Sequence, residues 1–120
     1  MQKLAKREEQ IMQACWRLER AFIRDIIAEL PVPRPHYNSV ATMVRILEDK
    51  GFLDHETFGN TFRYFPVISK EQYQKLAMED IVSKYFNNSY PSMLAYFARE
   101  QRLSQEELNE ILDIIKSQKK

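Results

Sequence analysis

Cysteine is nearly missing from this chain: its 120 residues contain one, Cys15. A lone cysteine excludes an intrachain disulfide and any metal site built from several thiolates. Glycine is almost as scarce. With only Gly51 and Gly59, no glycine-rich loop for a phosphate or dinucleotide can be assembled. No apolar run reaches the roughly 18 residues that a membrane span needs, so no membrane insertion is expected. Met1–Glu9 lacks the apolar stretch and cleavage pattern of a secretion signal, and a cytoplasmic location is the expectation. Neither sign of charge is in excess: 18 basic and 17 acidic residues leave +1. A polyanionic partner must therefore be argued from where charges sit, not from their number. No nucleophile elbow and no H-E-x-x-H helix occurs. The two histidines, His36 and His55, fall on a loop and a strand. No enzyme, metal or cofactor is expected.

What remains is a chain of helix formers with clear punctuation. From about Ala5 to Leu18, Leu4, Ile11, Cys15 and Leu18 share one helical face, with Met12 beside them and Trp16 widening it. Cys15 on that stripe reads as a small apolar residue. Ile23, Ile26, Ile27 and Leu30 repeat at i, i+3, i+4, i+7 and predict a short second helix, stopped by Pro31. Pro31-Val32-Pro33-Arg34-Pro35 is a stiff linker. A third helix is predicted from Tyr37 or Asn38 to Lys50, with Val40, Met43, Val44 and Leu47 inward and Gly51 just past its end. Its opposite face carries Asn38, Thr42, Arg45 and Asp49, flanked by Ser39 and Ile46.

The period then changes. Phe52–Phe58 and Thr61–Val67 are rich in aromatic and β-branched residues. Only Gly59-Asn60 separates them, which predicts a tight hairpin. Ser69-Lys70-Glu71-Gln72 and Ser104-Gln105-Glu106-Glu107 are capping boxes. The first opens a long helix to about Asn87, and the second opens the last helix. A short helix from Pro91 or Ser92 lies between them. The order is mainly α with one small hairpin: an N-terminal winged helix-turn-helix over residues 1–68 and a helical region over 69–120. The third helix would lie in a DNA major groove. The last three helices are too small for a core of their own, yet carry wide apolar stripes. A second copy of the chain is the economical cover, which predicts a homodimer.

The sequence also resembles the penicillinase-repressor family (BlaI/MecI/CopY type) of bacterial transcriptional regulators. The resemblance is carried by Glu8-Glu9-Gln10-Ile11-Met12 with Trp16, Tyr37–Leu47, Lys50-Gly51-Phe52-Leu53, Phe58–Tyr64 and Leu103–Leu108, in this order and over nearly the whole chain. It implies a homodimeric repressor on a pseudo-palindromic double-stranded operator. It also implies release through a membrane metalloprotease sensor that cuts an Asn-Phe bond. In the matching stretch, Leu94–Arg99, Tyr96 stands where that Asn would be. The cysteine motif of copper-responsive members is lacking at the C-terminus.

Candidate DNA-binding residues follow from chemistry. Arg45 can bond guanine bidentately and Asn38 can do so to adenine, while Ser39 and Thr42 can reach a phosphate or base edge. Arg34, His36 and Tyr37 add donors at the third helix's N-terminus, where anions are favoured. Asn60 and Arg63 in the wing are candidates for backbone or minor-groove contact, Asn60 also as a turn residue tolerating positive φ, and Lys50 could reach a phosphate or favour the helix C-terminus. The candidate dimerisation residues are Tyr73, Leu76, Ile81, Tyr85, Phe86, Leu94, Phe97, Leu108, Ile111, Leu112 and Ile115. Two other functions fit the same pattern. One is a protein-interaction module on a winged-helix scaffold. The other is a regulator that senses a ligand between the aromatic C-terminal helices.

Overall fold

The computed structural model describes residues 4–118, with the backbone alone at 115 and 118. The elements run α1 (Lys6–Leu18), α2 (Ile23–Ala28), α3 (Tyr37–Asp49), β1 (Leu53–Phe58), β2 (Thr61–Pro66), α4 (Lys70–Tyr85), α5 (Tyr90–Arg99) and α6 (Gln105–Gln118). The mainly helical composition and the hairpin after the third helix are those read from the sequence. The chain divides into two compact units, Met1–Ala77 and Met78–Lys120.

In the first unit, α1, α2, α3 and the hairpin enclose one core. Ile11, Met12, Cys15, Ile26, Val40, Val44, Leu47, Phe52 and Leu53 are fully buried there. Burial pushes the Cys15 thiol up to about 12, so it behaves as a small apolar group rather than a nucleophile. The α3 stripe matches its spacing, with Ala41 added. Gly51 at φ 85° lets the chain turn sharply after α3. Phe52 N–H then donates to Leu47 C=O (2.9 Å) and Gly51 N–H to Glu48 C=O (3.0 Å), the paired bonds of a Schellman end. Trp16 donates its indole N–H to Ile68 C=O at 2.9 Å.

Leu18 departs from the expected stripe: it is 36% exposed. It ends α1 just before Glu19 (φ 68°) reverses the chain, so the core face passes to Ala21. Ala21 forms a bridge with Tyr64 and adds a short third edge to the hairpin.

The β1–β2 register pairs Leu53 with Pro66 and Phe58 with Thr61 across Gly59-Asn60. The positive φ falls on Gly59 (64°), not on Asn60. Glycine at the first central position is what a type II′ hairpin turn requires, so Asn60 is not held there for backbone reasons.

Both capping boxes form. Ser69 Oγ accepts from Gln72 N–H (3.0 Å) while Gln72 Oε1 accepts from Ser69 N–H (2.8 Å). Ser104 and Glu107 exchange the same pair of bonds at 3.1 and 3.0 Å. Past the end of α4 at Tyr85, short of the expected Asn87, the chain turns at Asn87 and Asn88, both with positive φ, a conformation asparagine tolerates better than most residues. The α5 helix starts one residue earlier than expected, capped by Ser89 with Pro91 in its first turn. No described helix is long and apolar enough to cross a membrane.

Candidate nucleic-acid interface

The α3 helix begins without a side-chain cap, so its first-turn N–H groups are left for an outside acceptor. His36, at the cap position, is exposed, as are Tyr37, Asn38, Ser39, Thr42 and Arg45. Thr42 Oγ1 donates to Asn38 C=O at 2.9 Å, which leaves its methyl and an acceptor lone pair facing outward. Arg45 makes no ion pair among the described residues. Arg34 is committed in part: its guanidinium donates to Leu30 and Ala28 C=O, both at 3.2 Å. It thereby closes the C-terminal end of α2 and fixes the linker into α3.

Strand alternation decides which wing residues accompany this face. His55 lies opposite Tyr64. His55 reaches Glu48 of α3, and Tyr64, Phe62 and His55 line one hollow with Tyr37 and Arg45. Arg63 and Glu56 therefore point to the other side of the hairpin. There Arg63 Nε donates to Glu56 Oε1 (2.7 Å), Nη2 stands 2.6 Å from the same oxygen, and the guanidinium lies 4.8 Å over the Phe58 ring. Arg20 shares the same carboxylate oxygen at 3.2 Å. The Arg63 hydrogen bond is the main reason the Glu56 carboxyl sits below its ordinary range. Arg63, a candidate for DNA contact from sequence, is thus held by Glu56 on the far face of the hairpin. Asn60 is exposed at the hairpin tip.

Lys50 is also held. Its Nζ lies 2.9 Å from Glu8 Oε2, and the Glu8 residue is 8% exposed. Glu8 Oε1 accepts from Ala5 N–H at the start of α1 (2.9 Å). Burial alone would push the Glu8 carboxyl up, but the Lys50 bond, the Ala5 N–H and the Lys50 charge together bring it below its usual value. Lys50 thus ties the end of α3 to the start of α1.

Two features escaped the sequence reading. Arg24 is exposed and lines a hollow with Tyr37 and Thr61. Glu48, Asp54 and His55 converge, a ligand atom of each lying within 4.8 Å of the others. Neither left a sequence signal, because each joins residues of different elements that meet only once the first unit has folded.

The expected dimerisation residues divide. Leu76, Ile81, Tyr85, Phe97 and Leu112 are exposed, and Phe86, Leu94, Leu108 and Ile111 are half-buried. Tyr73 is not available. It is 9% exposed, its ring 5.6 Å from Trp16 and 5.9 Å from Phe52, and its hydroxyl donates to Glu9 at 3.3 Å. The Ile115 side chain lies outside the described residues.

The uncapped end and exposed polar face of α3 lie beside a hairpin, and comparison with known proteins names the family. The family model described as penicillinase repressor matches residues 4–117. The chain belongs to the penicillinase-repressor family. The Bacillus licheniformis penicillinase repressor is 26% identical over 118 residues, covering 98% of this chain and 92% of that one. The methicillin resistance regulatory protein MecI of Mammaliicoccus sciuri is 22% identical, covering 94% of this chain and 93% of its own. MecI of Staphylococcus aureus (strain N315) is 21% identical over the same shares. Members of the penicillinase-repressor family are transcriptional repressors, not enzymes, which fits the resemblance read from Tyr37–Leu47 and the wing.

Proposed function

We propose that the chain is a homodimeric, sequence-specific repressor in the cytoplasm that binds a pseudo-palindromic double-stranded operator. Residues 1–68 carry the DNA contacts and 69–120 the dimer. The observation that carries the reading is the α3 face: Asn38, Ser39, Thr42 and Arg45 are exposed together, and Arg45 has no ion-pair partner among the described residues. Arg45 and Asn38 read base edges. The first-turn N–H groups of α3, with His36, Tyr37 and the remaining Arg34 donors, take phosphates. Asn60 touches the backbone from the wing tip. Lys50 and Tyr73 are outside the proposal, and Arg63 contributes only after release from Glu56.

The exposed side chains of the second unit support a two-fold partner. Met78, Ile81, Tyr85, Tyr90, Tyr96, Phe97, Leu112 and Ile114 are all more than a third exposed, more apolar surface than a lone helical unit ordinarily leaves wet. Release through a membrane metalloprotease sensor belongs to the same proposal. The bond answering to the family's cleavage position is Tyr96–Phe97, exposed but inside α5, so cutting there requires local unfolding.

Selection of binding sites from a random duplex pool tests the reading. The expected outcome is a two-fold consensus with half-sites about one helical turn apart, and affinity that falls as salt rises. An asymmetric consensus, or binding indifferent to salt, overturns it.

A further inference from the structure

Glu48 near the end of α3 and Asp54 and His55 at the start of β1 bring two carboxylates and an imidazole together at the seam between helix and wing. We propose that these three side chains form a zinc-class divalent-cation site that clamps the hairpin to α3. The two carboxylates come from different elements, and neither has a lysine or arginine partner among the described residues. Glu48 pairs with His55 alone, and Asp54 Oδ1 accepts from the His55 backbone N–H at 2.7 Å. The imidazole is pre-oriented: Nδ1 faces Glu48 Oε2 at 2.8 Å, and its ring is packed 4.2 Å from Phe62 and 5.6 Å from Tyr64.

The distances suit an ion of this size. Zinc takes nitrogen and oxygen ligands at about 2.0–2.1 Å, so tetrahedral ligand atoms stand about 3.3 Å apart. The Nδ1–Oε2 pair opens by a few tenths of an ångström, and the Asp54 oxygen closes inward from within 4.8 Å. Glu48 lies in the last turn of α3, where the helix dipole favours positive charge. One imidazole with two carboxylates ranks zinc above manganese and magnesium. Three protein ligands leave a fourth position for water.

Glu48 and His55 line the same hollow as Arg45 and Tyr37. An ion there neutralises two negative charges close to the proposed DNA face, so loading should raise operator affinity. That consequence rests on the DNA-binding reading; the site itself does not.

The test is a zinc titration of the full chain without DNA, followed by calorimetry and by melting temperature. One equivalent per chain is expected, with a melting temperature that rises as zinc is added. His55→Ala and the near-isosteric Asp54→Asn should each weaken zinc by more than about tenfold, the smallest loss that even outer partners of metal sites cause. Asp54→Asn keeps the test valid if His55→Ala fails to fold. Equal response to magnesium and zinc, or loss of binding in His36→Ala with the cluster variants unaffected, overturns the assignment. If zinc binds as described and no duplex is retained, the site stands and the DNA reading falls.

Discussion

In Met1–Ala77, Phe52, Ile11, Met12, Ile26 and Leu47 are shut away from water, whereas in Met78–Lys120 only Val82 and Met93 are buried among the described hydrophobic residues. The two stretches are comparably apolar in sequence. The difference lies in whether the chain supplies the opposing face. Around α3 it does, because α1, α2 and the hairpin pack on three sides. Along α5 and α6 the apolar stripes stay open in a single copy. A stripe at helical spacing therefore says that a face wants covering, not what covers it.

That contrast can be broken most forcefully at Phe52. Phe52→Ala should cost about 3–5 kcal/mol of unfolding free energy, as large-to-small changes in a packed core do. Denaturant titration at two protein concentrations checks it, and the loss should be the same at both. A loss below about 1 kcal/mol would mean that the first unit is not the closed core described here.

Phe97→Ala and Leu112→Ala should behave oppositely. They remove exposed side chains, so one copy loses little, but the dimer should weaken by about 2–4 kcal/mol if these are central anchors. Sedimentation across a dilution series reads this. An unchanged monomer–dimer equilibrium would sink the two-fold reading of the second unit.

Within the first unit, Arg45→Ala should cost about 1–3 kcal/mol in operator affinity and relax preference at one base position. Lys50→Ala should leave the salt dependence of binding alone. Its effect should fall on folding, about 1–3 kcal/mol, because Glu8 is left nearly buried without its charged partner. A reduced salt slope for Lys50→Ala would return Lys50 to the DNA face.

The smallest effect is on pH. The Glu8 carboxyl is held below its ordinary value of 4.5 in the folded chain. A depressed acid stabilises the fold fully above its unfolded value, and that contribution is lost as pH falls through the folded value. Melting temperature should therefore drop in the window below 4.5, less so in Glu8→Gln.

Much of the local structure was legible from sequence because it depends on neighbours along the chain. The two capping boxes, the Gly51 end of α3 and the hairpin across Gly59-Asn60 are set by residues a few positions apart. So is the outward set Asn38, Thr42 and Arg45, which the helical period alone assigns. What spacing left out shares one cause. Tyr73 and Leu18 were assigned by spacing, yet Tyr73 packs on Trp16 and the reversal at Glu19 hands the core to Ala21; the ion pairs of Lys50 with Glu8 and of Arg63 with Glu56 likewise have no signal along the chain.

The sequence by itself determined the order of helices and strands and their ends to within a few residues, which face of α3 is polar, and that the last helices carry apolar stripes. These follow from backbone preference and periodicity, which act over a few residues. Only the tertiary structure decided which cations are free and which are held, which side of the wing faces α3, and that Glu48, Asp54 and His55 meet. Those outcomes depend on where α1, α3 and the hairpin pack, and charge pairing in a folded chain is fixed by distance in space rather than by order along it.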